Sequence, residues 1–196
     1  GPGRPGTRRA ARGTRSSMTD RALDDPASPF LERWIRRLAP TRTRGACALD
    51  VACGRGRHTR VLAAAGYAAI GIDIRMDALA QAQAASRAAG LQVTFVCADL
   101  TRQPLPDATF ELVVVSRYLD RERLPAMVAS LADGGTLLYE TFTDRQLQYA
   151  RGPRSRAHLL RPGELRALVH GMDVLFDEET AWPAAVARIA ARKRVR

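Results

Sequence analysis

Hydrophobic and polar positions alternate along this chain between a helical period and a strand period. Pro29 to Leu38 places Phe30, Leu31, Trp34, Ile35 and Leu38 at helical spacing, which predicts a short amphipathic helix. After a turn from Pro40 to Gly45, Ala46 to Ala52 is apolar except for Asp50, the pattern of a strand buried on both faces of a parallel sheet. Gly54 to Arg57 reads as a turn, and Thr59 to Ala65 as a helix stopped by Gly66. The pattern then predicts a strand at Tyr67 to Ile72, an Ala-rich helix at Met76 to Ala89 and a strand at Leu91 to Cys97. Past a proline-punctuated loop come a strand at Phe110 to Val115, a helix at Arg121 to Leu131 and a turn at Asp133-Gly134-Gly135. A strand follows at Thr136 to Phe142. The polar, arginine-rich stretch from Thr143 to Arg161 is too long for a simple connection and has the length of a lid or binding loop. Pro162 to His170 predicts a helix with Pro162 in its first turn, and Val174 to Glu178 and Val186 to Lys193 predict the last strands. Strands alternating with helices predict an α/β fold around a mainly parallel, doubly wound sheet.

Composition narrows the class. The chain has 196 residues, 46% hydrophobic and 26% charged, which suits one soluble domain with a sizeable core. No apolar run is long enough to span a bilayer, and the Arg- and Gly-rich start lacks a signal-peptide core. Gly1-Pro2 reads as the scar of a cleaved tag with Met18 as the native start, so residues 1–25 are expected to be a disordered leader and 26–196 a single domain. The net charge of +11 suggests nucleic acid at first. Its placement argues against that partner: Arg4, Arg8, Arg9, Arg12 and Arg15 lie in the leader, and Lys193 is the sole lysine. Cys47, Cys53 and Cys97 lack metal-ligand spacing and suit free thiols in a reducing cytoplasm, with no metal site and no disulfide framework.

The chemistry concentrates at strand ends. In Leu49-Asp50-Val51-Ala52-Cys53-Gly54-Arg55-Gly56-Arg57-His58, Gly54 and Gly56 allow a sharp turn and close approach to a ligand, with helix N–H groups just beyond. Asp50 would repel a pyrophosphate, and Thr59 stands where a dinucleotide fingerprint needs its third glycine. The motif therefore suits a ligand with a cationic headgroup; the competing reading is that Asp50 caps the turn's own N–H groups. Asp73, in Gly71-Ile72-Asp73-Ile74, sits where a carboxylate can accept both hydroxyls of a ribose, or else cap the next helix. Asp99, in Cys97-Ala98-Asp99-Leu100, can accept from an adenine amino group or cap its own loop. Three acids at the ends of three successive strands are far more specific than any one of them.

In this order, LDVACGRGRH, GIDI, ADL and FELVVVSRYL resemble the class I S-adenosylmethionine-dependent methyltransferases, and among them the small bacterial tellurite-resistance group. The resemblance runs from about Leu31 to the C-terminus. It implies a Rossmann-like sheet of seven strands whose last strand is antiparallel. It also implies S-adenosylmethionine as cofactor and S-adenosylhomocysteine as product. Asp50, Gly54 and Gly56 would surround the methionine part, Asp73 the ribose, and Asp99 with Leu100 the adenine; Ala52, Cys53, Ile74 and Ser116 complete the implied contacts. Ala52 departs from the family's common glycine.

The acceptor is less legible. Methyl transfer needs chiefly positioning and desolvation, so a soft nucleophile needs no protein base, whereas oxygen or nitrogen more often does. Tyr118, Glu140 and His58 are the candidate bases by position. Their structural alternatives are a pocket wall, an arginine ion pair and a place in a helix's first turn. The Asn- or Asp-Pro-Pro-aromatic motif of amino-methylating relatives is absent at Ser116-Arg117-Tyr118. Tyr149, Arg151 and Arg154 are candidate lid residues for an anionic substrate, or else part of a solvated loop. The sequence thus favours a small-molecule acceptor, anionic or soft. The alternatives are an RNA or protein methyltransferase using the basic surface, and a cofactor-binding module without catalysis.

Overall fold

Parallel strands that carry apolar residues on both faces need helices on both sides, and the chain supplies them. The computed structural model describes residues 26–195; the expected leader at 1–25 lies outside the described residues. The strands are β1 (Cys47–Val51), β2 (Ala68–Asp73), β3 (Thr94–Cys97), β4 (Phe110–Ser116), β5 (Leu131–Phe142), β6 (Asp173–Thr180) and β7 (Val186–Arg192). The helices are α1 (Pro29–Leu38), α2 (Arg57–Ala64), α3 (Met76–Ala88), α4 (Leu124–Ser130) and α5 (Glu164–Leu168). One sheet orders the strands β3-β2-β1-β4-β5-β7-β6. β1 pairs in parallel with β2 and β4, and β7 is antiparallel to both β5 and β6. The expected Rossmann-like topology is present.

Strand alternation divides β4 between two cores. Leu112 and Val114 face Phe30, Leu31, Trp34 and Ile35 of α1 and Leu62 of α2. Val113 and Val115 face Leu124 and Met127 of α4 and Leu165 beyond them. Burying one leucine-sized side chain contributes about 1.5–3 kcal/mol, so these two layers hold the sheet between its helices. Pro29 opens α1 and Ser28 Oγ accepts the Leu31 N–H, which sets where that helix begins.

Three expectations are corrected. Asp133-Gly134-Gly135 is not a turn before β5 but a bulge within it, between the Phe110–Leu131 and Leu112–Thr136 pairs. A Cβ on Gly135 would lie 2.9 Å from the Ala132 and Phe110 carbonyl oxygens, so the bulge excludes side chains there. Pro162 lies outside α5, because left-handed Gly163 occupies the N-cap. α4 starts at Leu124 rather than Arg121, since Asp120 Oδ1 accepts the Glu122 and Arg123 N–H groups and holds a tight turn ahead of it.

Candidate functional site

The strand order runs outward from β1 through β2 to β3, then restarts on the other side with β4. At such a switch the connections leave in opposite directions and open a crevice at the carboxyl ends of the strands. Here that crevice is a cleft of about 290 Å³ lined by Asp50, Ala52, Cys53, Gly54, His58 and Ser116, together with four arginines. The structure thus brings together six of the residues expected from sequence.

Asp50 forms the floor. It is 1% exposed, and its Oδ2 accepts the Thr59 hydroxyl at 2.6 Å. Burial pushes its carboxyl up to about 7, against the opposing hydrogen bonds from the Thr59 hydroxyl and N–H and the charge of Arg57. The capping role is therefore real, but it leaves a carboxylate whose ionised form is under-solvated beside a cleft. Such a group favours a cationic ligand. Thr59, which argued against a dinucleotide, is the residue that holds Asp50 in place.

The turn above Asp50 is shaped by its neighbours. Gly56 has φ +68°, and a Cβ there would meet the Phe95 ring at 2.8 Å, so conformation and space both require glycine. The space over Gly54 is open: a Cβ there would touch nothing within 4 Å. Ala52 adopts φ +52°, the left-handed conformation that glycine takes without strain. Glycine, the residue that the resemblance implies at this position, would take the same conformation without strain. The Cys53 thiol is buried and held well above its usual range, so it is an inert wall.

Asp73 joins the turn to the next strand. Its Oδ2 accepts the Gly54 N–H at 2.8 Å and its Oδ1 the Arg75 N–H at 2.9 Å. It does not cap α3, whose N-cap is Arg75. Ile74 beside it is 64% exposed, an apolar side chain left largely open. Asp99 lies one strand further, where Ala98 N–H donates to the Asp73 carbonyl. Its Oδ1 accepts the Thr101 N–H and hydroxyl, which lower its carboxyl below the usual range. Leu100 lines a small separate cavity with Pro104, Leu105 and Met127.

The candidate bases are committed elsewhere. His58 lies in the first turn of α2, where its buried Nε2 accepts the Ser28 N–H at 2.9 Å and ties α2 to the start of α1. Glu140 lies outside the cleft lining and pairs with Arg188 Nε at 2.6 Å across the β5–β7 ladder. The Tyr118 hydroxyl donates to Asp120 at 3.2 Å, and burial with that neighbouring charge pushes the phenol up to about 12. The arginine-rich stretch is ordered by two 3-10 turns and is not part of the cleft lining. Tyr149 rests on Trp182 and donates to the Ala181 carbonyl, and Arg154 donates to the Leu147 carbonyl. The Arg151 carbonyl accepts from Gln146, whose buried side chain also receives the Ala185 N–H. Arg55, Arg57, Arg60 and Arg117 are the cleft residues that sequence reasoning missed, although two of them sit inside the glycine motif itself.

Residues 48–135 match the methyltransferase domain family. The chain is similar to a ubiquinone biosynthesis O-methyltransferase of Methylococcus capsulatus, 30% identical over 149 residues that cover 65% of this chain and 62% of that protein. It therefore spans somewhat less than two thirds of that relative's length. Among solved structures it resembles an S-adenosylmethionine-dependent methyltransferase from Clostridium acetobutylicum, with TM-score 0.69 at 13% identity, over 89% of this chain and 94% of that one. It also resembles TehB from Haemophilus influenzae, with TM-score 0.62 at 18% identity, over 83% and 62% of the two chains. The switch-point cleft and the glycine turn over Asp50 both lie within the residues that match the methyltransferase domain family, on a fold shared with solved S-adenosylmethionine-dependent methyltransferases.

Proposed function

We propose that this protein binds S-adenosylmethionine in the β1–β4 cleft and transfers its methyl group to a small-molecule acceptor. The observation that carries this reading is Asp50, a buried carboxylate beneath the open face of Gly54. The residues present fit the cofactor. Asp50 would face its cationic methionine end across the Gly54 opening. Asp73 would accept the ribose hydroxyls, since each carboxylate oxygen keeps a lone pair beyond its present N–H bond. Exposed Ile74 would cover one face of the adenine, and Asp99 would accept at its edge.

The bound cofactor supplies an electrophilic methyl on a sulfonium, and in-line attack by an acceptor lone pair would leave the neutral thioether S-adenosylhomocysteine. The chain's own part is positioning and exclusion of water. His58, Glu140 and Tyr118 are each engaged in a structural hydrogen bond, which favours an acceptor that needs no protein base. The name of the Methylococcus relative favours a small-molecule acceptor as well. No helix among the described residues is long and apolar enough to cross a membrane.

Calorimetry with S-adenosylhomocysteine tests the cofactor, and an acceptor panel read out by S-adenosylhomocysteine release tests the reaction. Absence of cofactor binding would sink the proposal. The four cleft arginines and the net charge of +11 give the RNA or protein methyltransferase its one argument. Salt-dependent RNA binding that survives removal of residues 1–25 would favour it. Cofactor binding without turnover on any acceptor would favour a binding module instead.

A further inference from the structure

The far edge of the sheet is β6, and β6 is not a regular strand. A register shift between Val174 and Phe176 marks a bulge at Leu175. The bulge sends Val174 to the α4 core and Phe176 to the α1 core, although an unbroken strand would place both on one face. Phe176 stacks on Phe30 at 5.4 Å and meets Trp34 at 6.1 Å, while Leu175 is left 40% exposed. Between this bulge and the last turn of α1 lies a cavity of about 380 Å³, walled by Trp34, Arg37, Leu38, Leu175, Phe176 and Arg192. Arg192 is set opposite Thr136, toward the amino end of β5, so the cavity lies at the other end of the sheet from the β1–β4 cleft.

Both guanidinium groups remain open to a ligand. Arg37 lies over the Trp34 ring at 5.2 Å, which fixes it without an acidic partner. Arg192 is exposed on β7 and has no ion pair or side-chain hydrogen bond among the described residues. It also borders a neighbouring cavity that holds Glu111 and Asp133. Glu111 already accepts the Thr43 N–H and hydroxyl, and neither acid pairs with Arg192. No carboxylate among the described residues lines the cavity itself.

Aromatic and aliphatic walls with two guanidinium groups match a ligand that has an apolar body and an anionic head. A neutral apolar ligand would strip water from the guanidinium groups and return no acceptor, and a bare anion would leave the walls wet. The volume is near the lower end of ligand sites, roughly 300–1,000 Å³, which suits a small free molecule. We propose that this cavity is a second binding site, for a small amphipathic carboxylate with its head on Arg192 and Arg37 and its body against Trp34, Leu175 and Phe176. The site is independent of the methyl-transfer reading, because it shares no lining residue with the β1–β4 cleft.

The test titrates octanoate, its neutral counterpart 1-octanol and its tail-less counterpart acetate into the full chain by calorimetry, with and without saturating S-adenosylhomocysteine. Octanoate should bind at least about tenfold more tightly than either counterpart, because it alone satisfies walls and guanidinium groups together. S-adenosylhomocysteine should change that affinity by less than about twofold, as for separate sites with no shared partner. Trp34 and Trp182 are the two tryptophans of the chain, so in Trp182→Phe the fluorescence reports Trp34 and should shift with octanoate. Arg192→Gln should weaken octanoate about tenfold and leave 1-octanol unchanged, and Leu175→Asp should weaken octanoate at least as much by repulsion. The proposal is overturned if octanoate binds the unaltered protein no better than 1-octanol or acetate, a comparison that needs no variant to fold. It is equally overturned if S-adenosylhomocysteine displaces octanoate, if Trp34 stays silent while octanoate binds, or if Arg192→Gln keeps full octanoate affinity. Capture of the chain by phosphatidylglycerol vesicles without octanoate binding would overturn it too, and would assign this face to a membrane surface.

Discussion

Asp50 ties folding, pH and cofactor binding together through one proton. Its carboxyl is raised to about 7, chiefly by burial, against an ordinary value of 3.8. Between those two values the folded protein keeps a proton that the unfolded chain has lost. The unfolded state binds fewer protons there, so stability falls as pH rises, by about 1.4 kcal/mol per unit and about 4 kcal/mol in total, and is level above about 7. Asp50→Asn removes the ionisation while an amide oxygen can still accept from Thr59. Urea unfolding of both proteins from about pH 4 to 8 should show the variant gaining on the original across this window, the difference isolating Asp50 from other titrating groups. Cofactor binding should move the opposite way. A cationic headgroup needs the ionised form, which grows from about a tenth at pH 6 to about nine tenths at pH 8. S-adenosylmethionine affinity should therefore fall about tenfold from pH 8 to pH 6, with proton release on binding, and Asp50→Asn should abolish both the release and most of the affinity. A stability difference that stays flat with pH, or binding without proton release near neutrality, would refute the reasoning.

Other expectations follow from single contacts. Asp73→Ala should weaken cofactor binding by at least about 1.5 kcal/mol by calorimetry, through loss of a charged acceptor, and unchanged affinity would place the ribose elsewhere. Ala52→Gly should raise stability by about 0.5–1 kcal/mol in denaturant titration, because relief at φ +52° exceeds the added freedom of the unfolded chain. Gly135→Ala should destabilise by about 2 kcal/mol or more, since its Cβ would press on two carbonyl oxygens; a neutral change would show that the β5 bulge relaxes freely.

The order of elements was legible because burial on both sheet faces writes continuous apolar runs, and helices write their own period. Asp50, Asp73 and Asp99 were legible as strand-end acids for the same reason: a charge inside or closing an apolar run stands out. What those acids bond to was not. Thr59 and Gly54 reach Asp50 and Asp73 only after β1, α2 and β2 pack together, so capping and ligand roles stayed open in one dimension. The candidate bases show the same limit. Along the chain Glu140 is open between a base and an arginine pair, and antiparallel pairing settles it by setting it opposite Arg188, 48 residues away. The bulge at Gly134-Gly135 carries the same residues as a turn, and the backbone of β4 decides between them.

Fold class and the place of the glycine turn are therefore legible along the chain, because hydrophobic period and local turns are properties of neighbouring residues. Which acid is desolvated and which candidate bases are already engaged emerges only on folding. Desolvation and hydrogen bonding are set by groups that folding brings together from distant positions.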